Sequence, residues 1–238
     1  MATMARSLLM LAIALLFALP AGATETPATL TVHGSAELSF PADQANLSIG
    51  VVTTAGTAEA ALATNNSRLA AVKQAVLATG LKAEAMQTGQ FEVRPDWTPR
   101  PRDAGSDWQP AIAGYTVINS LNLTIDDLPR VGAVIAASIK AGANRIDSLR
   151  YGLADPRSGR AKAITEATRN AYDEARTAAG AANVQLGPVV SLQLEPAVET
   201  APIRMLRMAA EATPPPLSPG EISVRAAVTV VFTIDSPK

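Results

Sequence analysis

Residues 222–234 impose the firmest constraint on this chain. Ile222, Val224, Ala226, Val228, Val230, Phe232 and Ile234 alternate without a break. A period of two over that length requires a β-strand with one face buried and one face wet. Any fold for this chain must therefore contain a sheet with a covering layer. The same alternation opens at Thr29–Phe40, where Leu30, Val32, Gly34, Ala36, Leu38 and Phe40 share a face. It resumes in Ala45, Leu47, Ile49 and Val51 after the short Pro41-Ala42-Asp43 turn, so these two strands read as an antiparallel hairpin.

Helical stretches separate further strands. Between Thr57 and Thr79 the period lengthens, with Ala58, Leu62, Leu69, Val72 and Val76 on one stripe and Gly80 as the stop. Met86–Val93 reads as a strand with Gly89, Phe91 and Val93 on one side. Residues 94–112 are rich in Pro, Asp and Gly and read as a long loop carrying Trp97 and Trp108. Tyr115, Val117, Leu121, Leu123 and Ile125 alternate next, interrupted by Asn119. Asp126 or Asp127 offers an N-cap and Pro129 a first helical turn. Leu128, Val131, Ile135 and Ile139 supply that helix's apolar stripe.

Gly142–Gly159 reads as a helix end, a strand and a helix start in succession. Leu149, Tyr151 and Leu153 alternate, and Ile146 is out of phase, which a bulge would repair. Asp155 and Pro156 then begin a long helix to about Ala182. Its inward stripe, Ala167, Ala171, Ala175 and Ala178 below Ile164, is small enough to bring the helix axis close to its neighbour. Gly187-Pro188 opens another strand, with Val190, Leu192 and Leu194 on one face. Residues 196–219 read as a second loop. The fold class is α+β, with mixed, mostly antiparallel sheets in the order ββαβ–βαβ–α–ββ. The two strand–helix–strand units form a weak internal repeat, in two sub-lobes joined by the 94–112 loop.

The first 23 residues read as a secretory signal. Arg6 precedes the apolar run Leu8–Leu19, Pro20 breaks it, and Ala21-Gly22-Ala23 offers a cleavage site. The run is too short for a membrane span, so residues 24–238 are expected to be the mature chain, in the periplasm and without a transmembrane segment. The full chain carries a net charge of −1, and losing Arg6 makes it −2. That balance gives no electrostatic footprint for nucleic acid. The chain contains no Cys, which fits an exported protein that makes no use of disulfides and excludes thiol redox chemistry.

Catalytic signatures are sparse. His33 is the single His, on the strand face opposite the apolar one, and it reads as a solvated strand residue. No GxSxG, SxxK or phosphate-cradling Gly-Lys motif occurs. Arg145, Asp147 and Arg150 read as an exposed strand face carrying weak ion pairs. No catalytic, cofactor-binding or metal-binding residue is assigned, and the protein is expected not to be an enzyme. The candidate interface residues are Trp97 and Trp108 in the first loop, and Ile203, Met205, Leu206 and Met208 in the second. Trp suits buried interface anchors, and Met suits adaptable ones. A homo-oligomer is the expected partner state, with closed rings following from heterologous contacts. The alternative is a module that binds envelope glycan or lipid headgroups.

Four blocks carry a family resemblance: TVHGSAELSFPADQANLSIGV near the start, AGYTVINSLNLTIDDLPRVGAVIAASIKAGANRID in the middle, LADPRSGRAKAITEATRNAYDEARTAAGAANVQLGPV, and the closing PGEISVRAAVTVVFTI. Together they cover nearly the whole expected mature chain. They resemble the SIMPL-domain family, which includes YggE and the periplasmic immunogenic proteins, and the Gly-Ala-Asn block is the most specific. Ser35-Ala36 departs from the second Gly that many relatives carry. The resemblance implies an α+β periplasmic protein. It also implies links to oxidative-stress tolerance and antigenicity, and a capacity for ring-like assembly. It brings no agreed catalytic residues.

Overall fold

The computed structural model describes residues 27–196 and 219–236. Residues 1–23, expected to be a secretory signal, and the second-loop residues Ile203, Met205, Leu206 and Met208 lie outside the described residues. In chain order the elements are β1 (Thr29–Pro41), β2 (Gln44–Ala55), α1 (Ala58–Ala78), β3 (Met86–Trp97), β4 (Ile112–Ile125), α2 (Val131–Lys140), β5 (Arg145–Gly152), α3 (Pro156–Ala181), β6 (Gln185–Leu194) and β7 (Glu221–Asp235). This is the α+β order read from the sequence. The strands form two antiparallel sheets, a three-stranded one in the order β1-β7-β6 and a four-stranded one in the order β3-β4-β2-β5.

The four-stranded sheet and its two helices make a βαββαβ unit. Both β2 and β3 run antiparallel to β4, so β2 and β3 are parallel with one strand between them. By the same reasoning β4 and β5 are parallel with β2 between them. The two strand–helix–strand units therefore interleave in one sheet. This split-βαβ, ferredoxin-like arrangement is the physical content of the internal repeat. The unit sits between β1 and α3 in the chain. The loop at 98–111 joins the neighbouring strands β3 and β4, so it does not pass between lobes as first expected. The chain crosses from one sheet to the other at Ala42–Asp43 and again at Leu153–Asp155.

β1 and β2 are not a hairpin. β1 pairs with β7 through an unbroken register from Thr29↔Thr233 to Pro41↔Glu221, while β2 pairs with β4 and β5. Turn chemistry at Pro41-Ala42-Asp43 signals a change of direction, but the partner is chosen by the longer apolar match in β7. The two crossings are bonded together instead: Asp43 N–H donates to Gly152 O at 3.1 Å, and Ala154 N–H donates to Asp43 Oδ1 at 2.6 Å.

Each sheet has its own core. Leu47, Ile49, Val51, Leu121, Leu123 and Ile125 of the four-stranded sheet pack under Leu69, Val72 and Val76 of α1 and Val131 and Val134 of α2. The α1 stripe is Ala61, Asn65, Leu69, Val72 and Val76, so Ala58 and Leu62 lie off the buried line. Asn65 holds a core position because its Nδ2 donates to Val51 O and Val117 O, at 2.9 and 3.2 Å. In α2 the buried residues are Val131, Val134 and Ser138, while Ile139 is exposed. Ser138 is tolerated there because its hydroxyl donates to Val134 O at 2.7 Å. Hydrophobicity alone misplaces both stripes, because it discounts a buried polar residue that satisfies itself locally.

The three-stranded sheet packs under α3 through small residues. Gly159, Ala163, Ala167, Ala171, Ala175 and Ala179 are its buried face, with Ala179 in place of the expected Ala178. A Cβ at Gly34 would lie 2.0 Å from Ala167 O and 2.6 Å from Ala171 N. The helix backbone thus rests directly on β1, and Asn170 Nδ2 ties it down by donating to Ser35 O at 2.8 Å.

Candidate functional site

The Gly142–Gly159 stretch is made of joints. Gly142 takes φ +110° after α2, a conformation that costs Gly least. Asn144 N–H then donates to Gly50 O at 3.1 Å, just beyond the last β5 pair, Gly50↔Arg145. The side chain of Asn144 continues the ladder. Its Oδ1 accepts from Val52 N at 2.8 Å and its Nδ2 donates to Val52 O at 2.9 Å. One amide side chain thus acts as one more residue of β5. The sequence signals the helix stop through Gly142 but says nothing of this use of Asn144. Asn144→Ala leaves both Val52 backbone groups without these partners and should cost about 1–3 kcal/mol in urea unfolding. Asn144→Asp, which keeps only the acceptor, should fall between the two.

Two charged residues of β5, Arg145 and Asp147, are likewise committed to each other. The register skips Asp147 between Ile49↔Ile146 and Ser48↔Ser148, so the out-of-phase Ile146 is accommodated by a bulge at Asp147. Arg145 Nε donates to Asp147 Oδ1, and Arg150 stands opposite Asn46. Asp155 caps α3, accepting from Arg157 N at 3.1 Å and Ser158 N at 3.2 Å. Asp126 and Asp127 differ from their expected role. Asp127 makes no side-chain cap bond and pairs with Arg130 at 2.9 Å, and Asp126 Oδ1 accepts from Gln44 Nε2 at 3.0 Å. A short 3-10 turn at Leu128–Arg130 takes the position that the cap would have occupied.

His33 lies on the outer face of the three-stranded sheet, its Nδ1 2.9 Å from Thr229 Oγ1 on the facing strand. Nearby, Glu37 accepts from Ser223 Oγ and pairs with Arg225 Nη2 at 2.9 Å. These two donors, Ser223 first, hold its carboxyl below the usual carboxylate range. A folded-state pKa below the unfolded one makes the contribution complete at neutral pH, and it is lost as acid protonates the folded form. Glu37→Gln should therefore flatten the acid limb of stability against pH and leave the alkaline limb unchanged, as checked by urea titrations from pH 7 to pH 3.

One open cleft of about 320 Å³ lies at the crossing between the sheets, lined in part by Phe40, Asp43, Asp155, Ser158 and Lys162. Lys162 Nζ stands 5.6 Å from the Phe40 ring centroid. The two carboxylates there already hold structural bonds, Asp43 to Ala154 and Asp155 to the α3 terminus. Among the described residues, no three His, Cys, Asp or Glu side chains gather as a metal site, and no helix is long and apolar enough to cross a membrane.

Exposed apolar side chains stand out more clearly than any polar cluster. β3 runs to Trp97, through residues first read as loop, because an edge strand tolerates Pro95. Phe91 and Val93 sit opposite Asn119 and Val117, on the helix-facing side of the sheet. α1 covers β2 and β4, which leaves Phe91, Val93, Trp97 and Ile112 exposed. Phe91 and Val93 share one side of the strand, as their spacing indicates, but that side is uncovered here. Trp97 pairs with Ile112 and is 56% exposed. Trp108 is half-buried in the same loop, with the Arg100 guanidinium 5.9 Å from its ring centroid. A second exposed row, Val190, Leu192 and Leu194, lies on β6.

Comparison with known proteins adds a family. The SIMPL family, described as a protein of unknown function (DUF541), matches residues 30–232. The chain is 31% identical over 229 residues to the 26 kDa periplasmic immunogenic protein of Brucella abortus, spanning 92% of this chain and 91% of that one. It is 25% identical over 206 residues to YggE of Escherichia coli, spanning 87% of this chain and 80% of that one. YggE of Edwardsiella ictaluri is 26% identical over 169 residues, spanning 71% and 68%.

Proposed function

We infer the function from one premise: this chain belongs to the SIMPL family. It is a non-enzymatic protein of the bacterial envelope that acts by assembling with copies of itself. The periplasmic placement comes from the name of its Brucella abortus relative and accords with an N-terminal secretory signal. The observation that carries self-assembly is the pair of exposed apolar rows on the edge strands β3 and β6. Contiguous apolar surface of this kind on a folded protein marks interaction sites. Arg145, Asp147 and Asp155 are engaged in structural bonds, which supports a role without chemistry. With no Cys in the chain, a contribution to oxidative-stress tolerance would act through assembly or binding, since thiol chemistry is closed to it.

Light scattering on protein produced from the full-length gene tests the reading. The expected native mass is a multiple of one chain. Trp97→Ala should lower it by removing an exposed aromatic anchor, and Trp108→Ala should leave it unchanged because Arg100 already covers that ring. A monomer at micromolar concentration would reject self-assembly.

A further inference from the structure

We propose that β6 is a self-pairing strand. Two copies of Val189–Leu194 run antiparallel across a two-fold axis and join two three-stranded sheets into one of six strands. The proposal rests on the self-assembly reading and names the surface and the partner. β6 ends the strand order β1-β7-β6, and its register from Gln185↔Asp235 to Leu194↔Val228 occupies only one side of its backbone. Among the described residues nothing pairs with the other side, and its N–H and C=O groups can template strand addition. Leu192 and Leu194 lie opposite Val230 and Val228, both fully buried. They therefore belong to the helix-facing side, but α3 packs on β1 and β7 and leaves them 50% and 45% exposed.

What distinguishes β6 from β3 is protection. Folded proteins guard open edges with charge, Pro or bulges. β3 carries Glu92, Arg94, Pro95 and Asp96, and its register breaks after Thr88. In β6 the Pro and the two register breaks lie between Leu186 and Ser191, the second at Val190, so the ladder is regular from Ser191 to Leu194. The six residues Val189-Val190-Ser191-Leu192-Gln193-Leu194 contain no charge and no Pro. A six-residue segment of that composition left open is an aggregation hazard.

The same neutrality selects the occupant. In a two-fold antiparallel pair each residue faces a residue of the identical strand, so any central charge would meet its own kind. None is present. With Leu192 on the axis, Leu192 faces its own copy and Leu194 reaches the bulged end of the partner strand at Val190, which straightens to receive it. Gln193 then stands beside Ser191 on the other face, an amide next to a hydroxyl. The contact is isologous and closes at two copies, so a larger assembly would need a second surface such as the β3 row.

The native chain has no Cys, which makes cross-linking clean. Leu192→Cys places two thiols opposite each other at a Cα separation within the disulfide range. Mild oxidation should convert most of the protein to a covalent dimer, while Glu174→Cys on the exposed face of α3 should stay uncross-linked. Leu192→Lys sets two ammonium groups face to face and should halve the native mass while leaving the circular dichroism unchanged. An oligomeric wild type with no Leu192→Cys cross-link and no response to Leu192→Lys would overturn the β6 pairing and leave self-assembly standing. A monomeric wild type would overturn both. If that monomer also protects the Val189–Leu194 amides from hydrogen exchange, β6 is covered by another part of the same chain.

Discussion

Gly34→Ala is expected to lower the unfolding free energy by about 3 kcal/mol or more, the upper end of what overpacking costs. The added methyl would sit 2.0 Å from Ala167 O, 2.6 Å from Ala171 N and 2.7 Å from Ala171 Cβ. Two of these atoms are helix backbone and cannot rotate aside, so α3 must lift off β1. Lifting it also stretches the Asn170–Ser35 bond and opens a gap above Ala163 and Ala175. Urea unfolding followed by circular dichroism measures the loss. Ala171→Leu probes the same contact from the helix side. A Gly34→Ala protein within about 0.5 kcal/mol of wild type would show that the helix is not seated on this residue, since changes that disturb no packing fall in that range.

Phe232→Ala should cost about 3–5 kcal/mol, the range for deleting a buried aromatic. The fully buried residues of α3 are only Gly and Ala, with Ile164 and Tyr172 partly buried beside them, so one big side chain from the sheet must fill the space between the layers. Phe232, 1% exposed, is the largest fully buried side chain among the described residues. Tyr172 meets it edge-on, with centroids 5.1 Å apart and rings at 82°, an arrangement worth more than its area alone. Small neighbours held by a close backbone contact cannot collapse into the hole. Phe232→Leu should recover much of the loss. If thermal and urea unfolding place Phe232→Ala within 1 kcal/mol of wild type, the sheet–helix layer is more plastic than its packing indicates.

Element order was legible in the sequence because period two and period 3.6 alternate cleanly and because Gly80 and Gly142 both adopt the positive φ their positions call for. Strand partnership was less legible. Nothing local in Pro41-Ala42-Asp43 distinguishes a hairpin from a passage between sheets; the choice is made by β7, which lies far along the chain. Burial was legible for β7 and not for β3 or β6, since a row of apolar residues reads the same whether or not a helix lies over it. Phe91, Val93, Leu192 and Leu194 occupy the correct face of their sheets and remain exposed. The candidate surface was visible through Trp97, which stands out by composition. The β6 row reads only as one apolar face of a strand, and nothing local tells whether that face is covered. Asn144 belongs to the Gly-Ala-Asn block that marks the resemblance, but its role is not legible there, since it depends on backbone groups of a strand some ninety residues earlier.

The paired crossings at Asp43 and Ala154 make the inserted unit separable in principle. Because the polypeptide leaves the β1–β7 layer and returns to it through adjacent residues, everything from Gln44 to Gly152 hangs on a single stem. Removing that unit and sealing the stem would leave β1, α3, β6 and β7, which together make the three-stranded sheet and its covering helix.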